Sequence, residues 1–215
     1  ADVDEDGILD WTDSNYNRVW DDGEGEEWTV TDESGVYTFT NDVSDGTLVS
    51  IGGTDISTRE LFSGILMALP GDSVITPLTT ITTGIVKAEI KALKDNGGSP
   101  TSEELQQFAL SAKGAVIQAL GLPTGVEIGS YDPFEVLNGN ASAVEKEAAL
   151  VVQKVAASIA NILIAVGQGA TSSGARVEAL NNLIDNFASK IESSQGATLD
   201  LADNITLVEI VGSIS

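Results

Sequence analysis

Pro70-Gly71 divides this chain into two regimes, and the division limits the folds open to it more than any other feature. From Glu27 up to it, apolar residues follow the period of two of a half-buried strand; after it they recur at three and four, the period of a helix. In EWTVTDESGVYTFTND, Trp28 and Val30, then Val36, Tyr37 and Phe39, flank the turn-rich tetrad Asp32-Glu33-Ser34-Gly35, which predicts a β-hairpin. GTLVSIGG predicts a strand ended by Gly52-Gly53, and Leu61 to Leu69 predicts another. Together these make a small antiparallel sheet of three or four strands.

Beyond the division, caps and stripes define the helices. Thr76-Pro77 supplies an N-cap and a first-turn proline ahead of Ile81, Ile85, Ala88 and Ala92, stopped by Asn96-Gly97-Gly98. Thr101 with Glu104 forms a capping box ahead of Leu105, Phe108, Ala109, Ala112, Val116 and Leu120, ended by Gly121 and Pro123. Ser142 with Glu145 opens a third helix through Val144, Ala148, Val151, Val155, Ile159, Ile162 and Val166; apolar nearly all round, it is expected at the centre. A fourth starts near Ser173 and carries Val177, Leu180, Ile184, Phe187 and Ile191, and LADNITLVEIVGSIS adds a short helix or a strand. The run from Ala148 to Gly167 holds Gln153, Lys154, Ser158 and Asn161. A charge near a bilayer centre costs about 2.5 to 3.5 kcal/mol, so a buried soluble helix is expected rather than membrane insertion.

The acid is concentrated at the other end. Of 33 acidic and 10 basic residues, the first 35 positions hold 13 acidic and one basic, Arg18. DVDEDGILDWTD alone crowds five aspartates and a glutamate, which repel one another unless a cation sits among them. A twelve-residue calcium loop takes oxygens at positions 1, 3, 5, 7, 9 and 12 and needs Gly at 6. Asp2, Asp4 and Asp6 fall on 1, 3 and 5, Gly7 on 6, Ile8 (through its carbonyl) on 7, Asp10 on 9 and Asp13 on 12. Asp13 replaces the longer Glu that normally reaches the ion with both oxygens, and only Ala1 precedes the loop, so a paired, helix-opening sensor hand is not expected. Leu9 at position 8 would anchor the loop against a core. Asp21, Asp22, Glu24, Glu26 and Glu27 form either a second, irregular site or a charged surface loop. Trp11, Tyr16 and Trp20, interleaved with this acid, suggest a small cluster packing the loop onto the body, or a sugar-stacking platform.

DxDxDGxxDxxD without flanking helices resembles the calcium loop of thrombospondin type 3 repeats and of related loops in bacterial secreted proteins. The resemblance implies metal contacts from Asp2, Asp4, Asp6, Ile8, Asp10 and Asp13; the family's following Asn-Cys is replaced by Ser14-Asn15. Thr31, Gly35, Tyr37 and Phe39 match a T-x-x-x-G-x-Y-x-F hairpin signature similar to that of prealbumin-like sandwiches. GGTDIST, LPGDSVITPLTT, ALGLP and YDP, across residues 52 to 133, resemble a module of large repetitive bacterial extracellular proteins, including adhesins of the repeats-in-toxin type. That likeness implies a surface or secreted building block.

Composition narrows the chemistry. A net charge of −23 argues against nucleic acid or an anionic membrane as partner. Neither Cys nor His occurs, which removes disulfides, thiolate sites and the commonest base and nucleophilic pairs. Calcium binding only the folded state would supply the missing staple. At the roughly 10⁻⁴ to 10⁻³ M affinity of extracellular modules, it would be loaded outside the cell. The start inside a metal loop, with no signal peptide, reads as a piece of something longer, whose neighbouring domains would be partners.

The expected layout is α+β: an N-terminal calcium loop (1–27), a small antiparallel sheet (28–72) and a four- to five-helix bundle (73–215), with 28–215 packed as one unit. Three functions stay open: a calcium-stabilised structural or adhesion module, a glycan- or peptide-binding adhesin head around Trp11, Trp20 and Trp28, and a self-cleaving or hydrolytic module. For the last, Asp132-Pro133 resembles the bond that certain repeats-in-toxin proteins cut through an anhydride. The same residues also read as an N-cap and helix start, so no catalytic residue is assigned. Gly52-Gly53 lacks phosphate-cradling spacing, and the Asn-x-Ser/Thr triplets at Asn140 and Asn204 are of a kind common by chance.

Overall fold

The computed structural model of the chain describes residues 9–13, 27–32, 35–40, 46–54, 59 and 61–212, with 9–13 and 173 as backbone. Strands β1 (Leu9–Asp13), β2 (Trp28–Thr29), β3 (Thr47–Ile51) and β4 (Ile65–Ala68) form one antiparallel sheet in the order β2-β1-β3-β4. Among the described residues six helices follow: α1 (Pro77–Asp95), α2 (Ser102–Ala119), α3 (Pro133–Asn138), α4 (Ala143–Gly169), α5 (Ser173–Ser193) and α6 (Asn204–Val211). The architecture is α+β, as the change of period predicts, with four long helices and two short ones.

Each start signal works as its chemistry requires. Thr76, Thr101 and Ser142 accept the N–H three residues on, and Thr79, Glu104 and Glu145 accept the cap N–H in return. Such a cap contributes about 1 kcal/mol by satisfying donors that have no partner inside the helix. The hydrogen bonds from Ser142 and Thr101 hold the Glu145 and Glu104 carboxyls below their ordinary pKa. Gly97 and Gly121, both at positive φ, end α1 and α2.

One hydrophobic cluster joins sheet and helices, from Val49, Ile65 and Met67 through Ile81, Val116, Ile159 and Phe187 to Ile210. Each fully buried side chain of this size is worth about 1.5–3 kcal/mol. Val49 lies opposite Met67 in the ladder, so the two share the face on which α1 rests. Thr80 Oγ1 accepts the Met67 N–H at 2.9 Å, and Thr76 bridges to Met67 beyond the outer edge of β4.

Four expectations change. The hairpin over 28–39 survives as a turn: Asp32 C=O accepts the Gly35 N–H, Asp32 N–H donates to Val36 C=O, both at 2.9 Å, and the Tyr37 and Phe39 rings meet edge to face. No ladder forms along 36–39; Trp28 and Thr29 pair instead with Trp11 and Asp10 of β1. The strand expected over Leu61 to Leu69 contracts to β4, with Leu61 held in one isolated bridge to Thr54. The boundary at residue 27 falls inside the sheet, because Leu9–Asp13 is laddered to both β2 and β3.

The last change concerns the centre. Helix α1, not α4, is the more deeply buried: it packs on β4, α2, α4 and α5. Its burial is continuous from Leu78 to Val86, whereas Ala88 and Ala92 of the expected stripe are exposed. Helix α4 buries a single line, Ala149, Val152, Ala156, Ile159, Leu163 and Gly167, and leaves Val144 and Leu150 76% and 58% exposed. By length and composition α4 could cross a membrane, with 28% of its most apolar stretch buried. In this fold it packs on α3, α5 and α1.

Candidate functional site

Of the six expected metal positions, Asp2, Asp4, Asp6 and Ile8 lie outside the described residues, as do Asp21, Asp22, Glu24 and Glu26 of the second acidic group. Asp10 and Asp13 fall in β1, on the rungs opposite Ser50 and Thr47. Leu9, the expected anchor, is laddered to Ile51 through its backbone. Positions 9–13 of the expected loop are thus a strand paired on both sides, where a sensor hand would have a helix. Successive strand residues alternate faces, so positions 10 and 13 have opposite parity along β1. Among the described residues, no three acidic groups gather into a metal-binding cluster. Trp28 is 43% exposed at the edge of the sheet, on the rung opposite Trp11; Tyr16 and Trp20 lie outside the described residues.

Asp132 is committed to a helix end. Its Oδ1 accepts the N–H groups of Phe134 and Glu135 at 2.8 and 3.3 Å, with buried Pro133 as first helical residue. A carboxylate that attacks its own carbonyl must give up those two donors, which stabilise it as a cap.

Three features escaped the sequence because they join distant segments. Asp72, its side chain 4% exposed, receives Lys113 Nζ at 2.7 Å and the Leu69 N–H at 3.1 Å. Gly129 presses on this pair: a Cβ there would lie 1.8 Å from Asp72 Oδ1, while its carbonyl accepts the Ser73 N–H at 2.7 Å. The Pro70-Gly71 turn is thereby latched to α2 and to the loop before α3. Lys87 is buried, its Nζ 3.8 Å from Met67 Sδ. Glu89, with a buried Oε2 that has no hydrogen-bond partner, has its pKa raised by burial and then by the charge of Glu192. The signals were present in part, since an aspartate after Pro-Gly and a lysine amid Ile85, Val86 and Ile90 are both out of pattern.

Two shallow grooves mark the helical surface. One, about 250 Å³, lies between Thr124, Val126, Tyr131, Val136 and Glu145, and burial, then the Glu145 charge, raises the Tyr131 pKa. The other, about 320 Å³, is polar and crossed by the Lys190–Glu209 ion pair. In the second groove Lys190 is engaged by Glu209, and Ser193 Oγ donates to the Lys190 carbonyl at 3.0 Å. Comparison of the chain with protein-family models, with curated proteins and with solved structures finds no match.

Proposed function

We propose that this chain is a calcium-binding building block of a secreted or cell-surface bacterial protein, whose sheet and helices do structural or adhesive work. The observation that carries the reading is the spacing of Asp2, Asp4, Asp6, Ile8 and Asp10 around Gly7, leading without a break into β1. An ion closing such a loop fixes the chain immediately ahead of a strand that is laddered on both edges. It would thus tie whatever precedes the loop to the body. Oxygen is the donor that this Cys- and His-free sequence can offer, and it suits a hard divalent cation. The charge of −23 disfavours nucleic acid, and the packing of α4 against α3, α5 and α1 supports a soluble helix.

Calorimetry with calcium chloride at millimolar concentration tests this. Saturable uptake and a rise in melting temperature are expected, both reduced in the Asp2→Ala/Asp6→Ala variant. An unchanged rise in the variant puts the ion elsewhere, and no uptake by the unaltered chain sinks the reading. A glycan- or peptide-binding surface is the second reading, favoured by half-exposed Trp28 opposite Trp11 at the sheet edge. Tryptophan fluorescence separates the two: a change with calcium alone supports the first, a further change on adding saccharides the second.

A further inference from the structure

Helix α4 turns its buried line toward α1, α3 and α5 and leaves the opposite face open among the described residues. Down the middle of that open face stand Glu147 and Lys154, both exposed. They are two turns apart, about 10 Å along the axis, too far to meet each other. Among the described residues neither makes an ion pair. Between them, on either side of their line, lie Leu150 and Val151, 58% and 38% exposed. Val144, 76% exposed, adds to the apolar edge one turn from the helix start. Charge sets this helix apart. On a chain of −23, α4 carries two acids and two bases, Glu145, Glu147, Lys146 and Lys154, and no charged residue follows until Arg176. Two copies of so acidic a chain repel one another in general, but here the local charge cancels.

We propose that the open face of α4 docks on the same face of a second copy of this chain, the two helices running antiparallel about a two-fold axis between Leu150 and Val151. In such an isologous contact one patch must complement itself. Here it does: Glu147 of one copy meets Lys154 of the other, twice over, while Leu150 meets its own copy on one side of the axis and Val151 on the other. A parallel pair in register would set Glu147 on Glu147 and Lys154 on Lys154, so charge selects the antiparallel sense. A bilayer over this face would take up both charges unpaired, whereas a second copy pairs them. Because α4 begins at Ala143, the helices overlap across 143–158, about 24 Å. A contact of that length is at the small end of specific interfaces, and a dissociation constant of roughly 10–100 µM is expected, so dilute solutions hold the monomer. Nothing in this contact depends on the calcium loop.

Sedimentation velocity in chelator, over roughly 1–500 µM chain, reads the association; chelator removes any bridge that calcium could form between acidic segments. A concentration-dependent shift from monomer to dimer is expected. Glu147→Lys and Lys154→Glu each set like charges across the axis and should weaken association about tenfold or more, while E147K/K154E together should restore it to within about threefold. The sequence has no cysteine, so one introduced thiol reports position. Leu150→Cys should give a disulfide-linked dimer on mild oxidation. Val144→Cys should not, because its two copies would lie about 20 Å apart along the helices. A chain that stays monomeric throughout the range overturns the proposal. So do single charge variants that associate like the parent, a charge swap no better than either single variant, and Val144→Cys linking as readily as Leu150→Cys. Capture of the chain by phosphatidylcholine vesicles without self-association gives the face to lipid and overturns it as well. Since the reading is made in chelator, a chain that takes up no calcium sinks the calcium reading alone.

Discussion

Helices α1 and α4 invert the rule that the most apolar helix lies deepest. Helix α4 has the longer and more hydrophobic sequence, yet it buries six of its 27 residues; α1, with four threonines in its first two turns, buries eleven of 19. The difference lies in where the hydroxyls go. Thr79 and Thr80 donate to the Thr76 carbonyl and Thr82 to that of Leu78, at 2.8, 2.8 and 2.9 Å, so three of the four hydroxyls are satisfied inside the helix and leave their methyl groups to its surface; the fourth, on Thr83, is buried without a partner. Burial follows from the position of a helix between sheet and bundle, and a threonine-rich helix can occupy that position when most of its hydroxyls have acceptors within the helix.

The contrast can be broken most directly at Ile81 and Leu150. Ile81→Ala empties a fully covered site in α1 and should cost about 2–5 kcal/mol, whereas Leu150→Ala on the open side of α4 should stay within about 0.5 kcal/mol. Urea midpoints at constant slope read both, and equal losses would mean that the outer face of α4 is covered. Smaller, and sharper, is the comparison of two threonines within α1. Thr80→Val leaves the Met67 N–H of β4 without its acceptor and should cost about 1–3 kcal/mol; Thr83→Val removes a buried hydroxyl that has no partner and should be neutral or stabilising. Losses of the same sign at both sites would refute the account of the hydroxyls. Gly84→Ala should cost about 1–3 kcal/mol, because its Cβ would sit 2.6 Å from Ile184 Cγ2 of α5.

The smallest effect expected is in pH dependence. Burial, then the charge of Glu192, raises the pKa of Glu89 above its ordinary 4.5, so the folded chain holds this proton more tightly than the unfolded chain. That contribution is complete below 4.5 and is lost as pH rises through the raised value. Glu89→Gln should match the parent in acid and melt higher at neutral pH. A constant difference between the two across that range would remove the buried carboxyl from the argument. The capping carboxyls act in the opposite sense: the pKa values of Glu104 and Glu145 are lowered, so their support is present above the ordinary value and fades as pH falls through the lowered one.

What could be read from the sequence was local. The caps at Thr76, Thr101, Asp132 and Ser142 each depend on residues within four positions, and the glycines after β3, α1 and α2 mark where the chain must turn. What could not be read was long-range. Strand β1 was hidden because Asp10 and Asp13 matched ligand slots, although Leu9 and Trp11 carry the strand period; its partners lie more than thirty residues away in β3. The centrality of α1 was obscured because threonine counts as polar wherever its hydroxyl ends up. The Asp72–Lys113 pair spans 41 residues and depends on a backbone approach at Gly129 that no periodicity encodes. At the acidic end, spacing gives a ligand pattern and the ladder gives the strand into which that pattern runs.

The latch between Asp72, Lys113 and Gly129 has a bearing on biosynthesis. Translation delivers β3 and β4 before any of the helices, yet the groups that secure the turn after them emerge only when Lys113 and Gly129 have left the ribosome. A nascent polypeptide halted just after β4 would display Val49 and Met67 to the cytosol with no helix over them. These strands are shielded only once the helices that follow them in the sequence have been made.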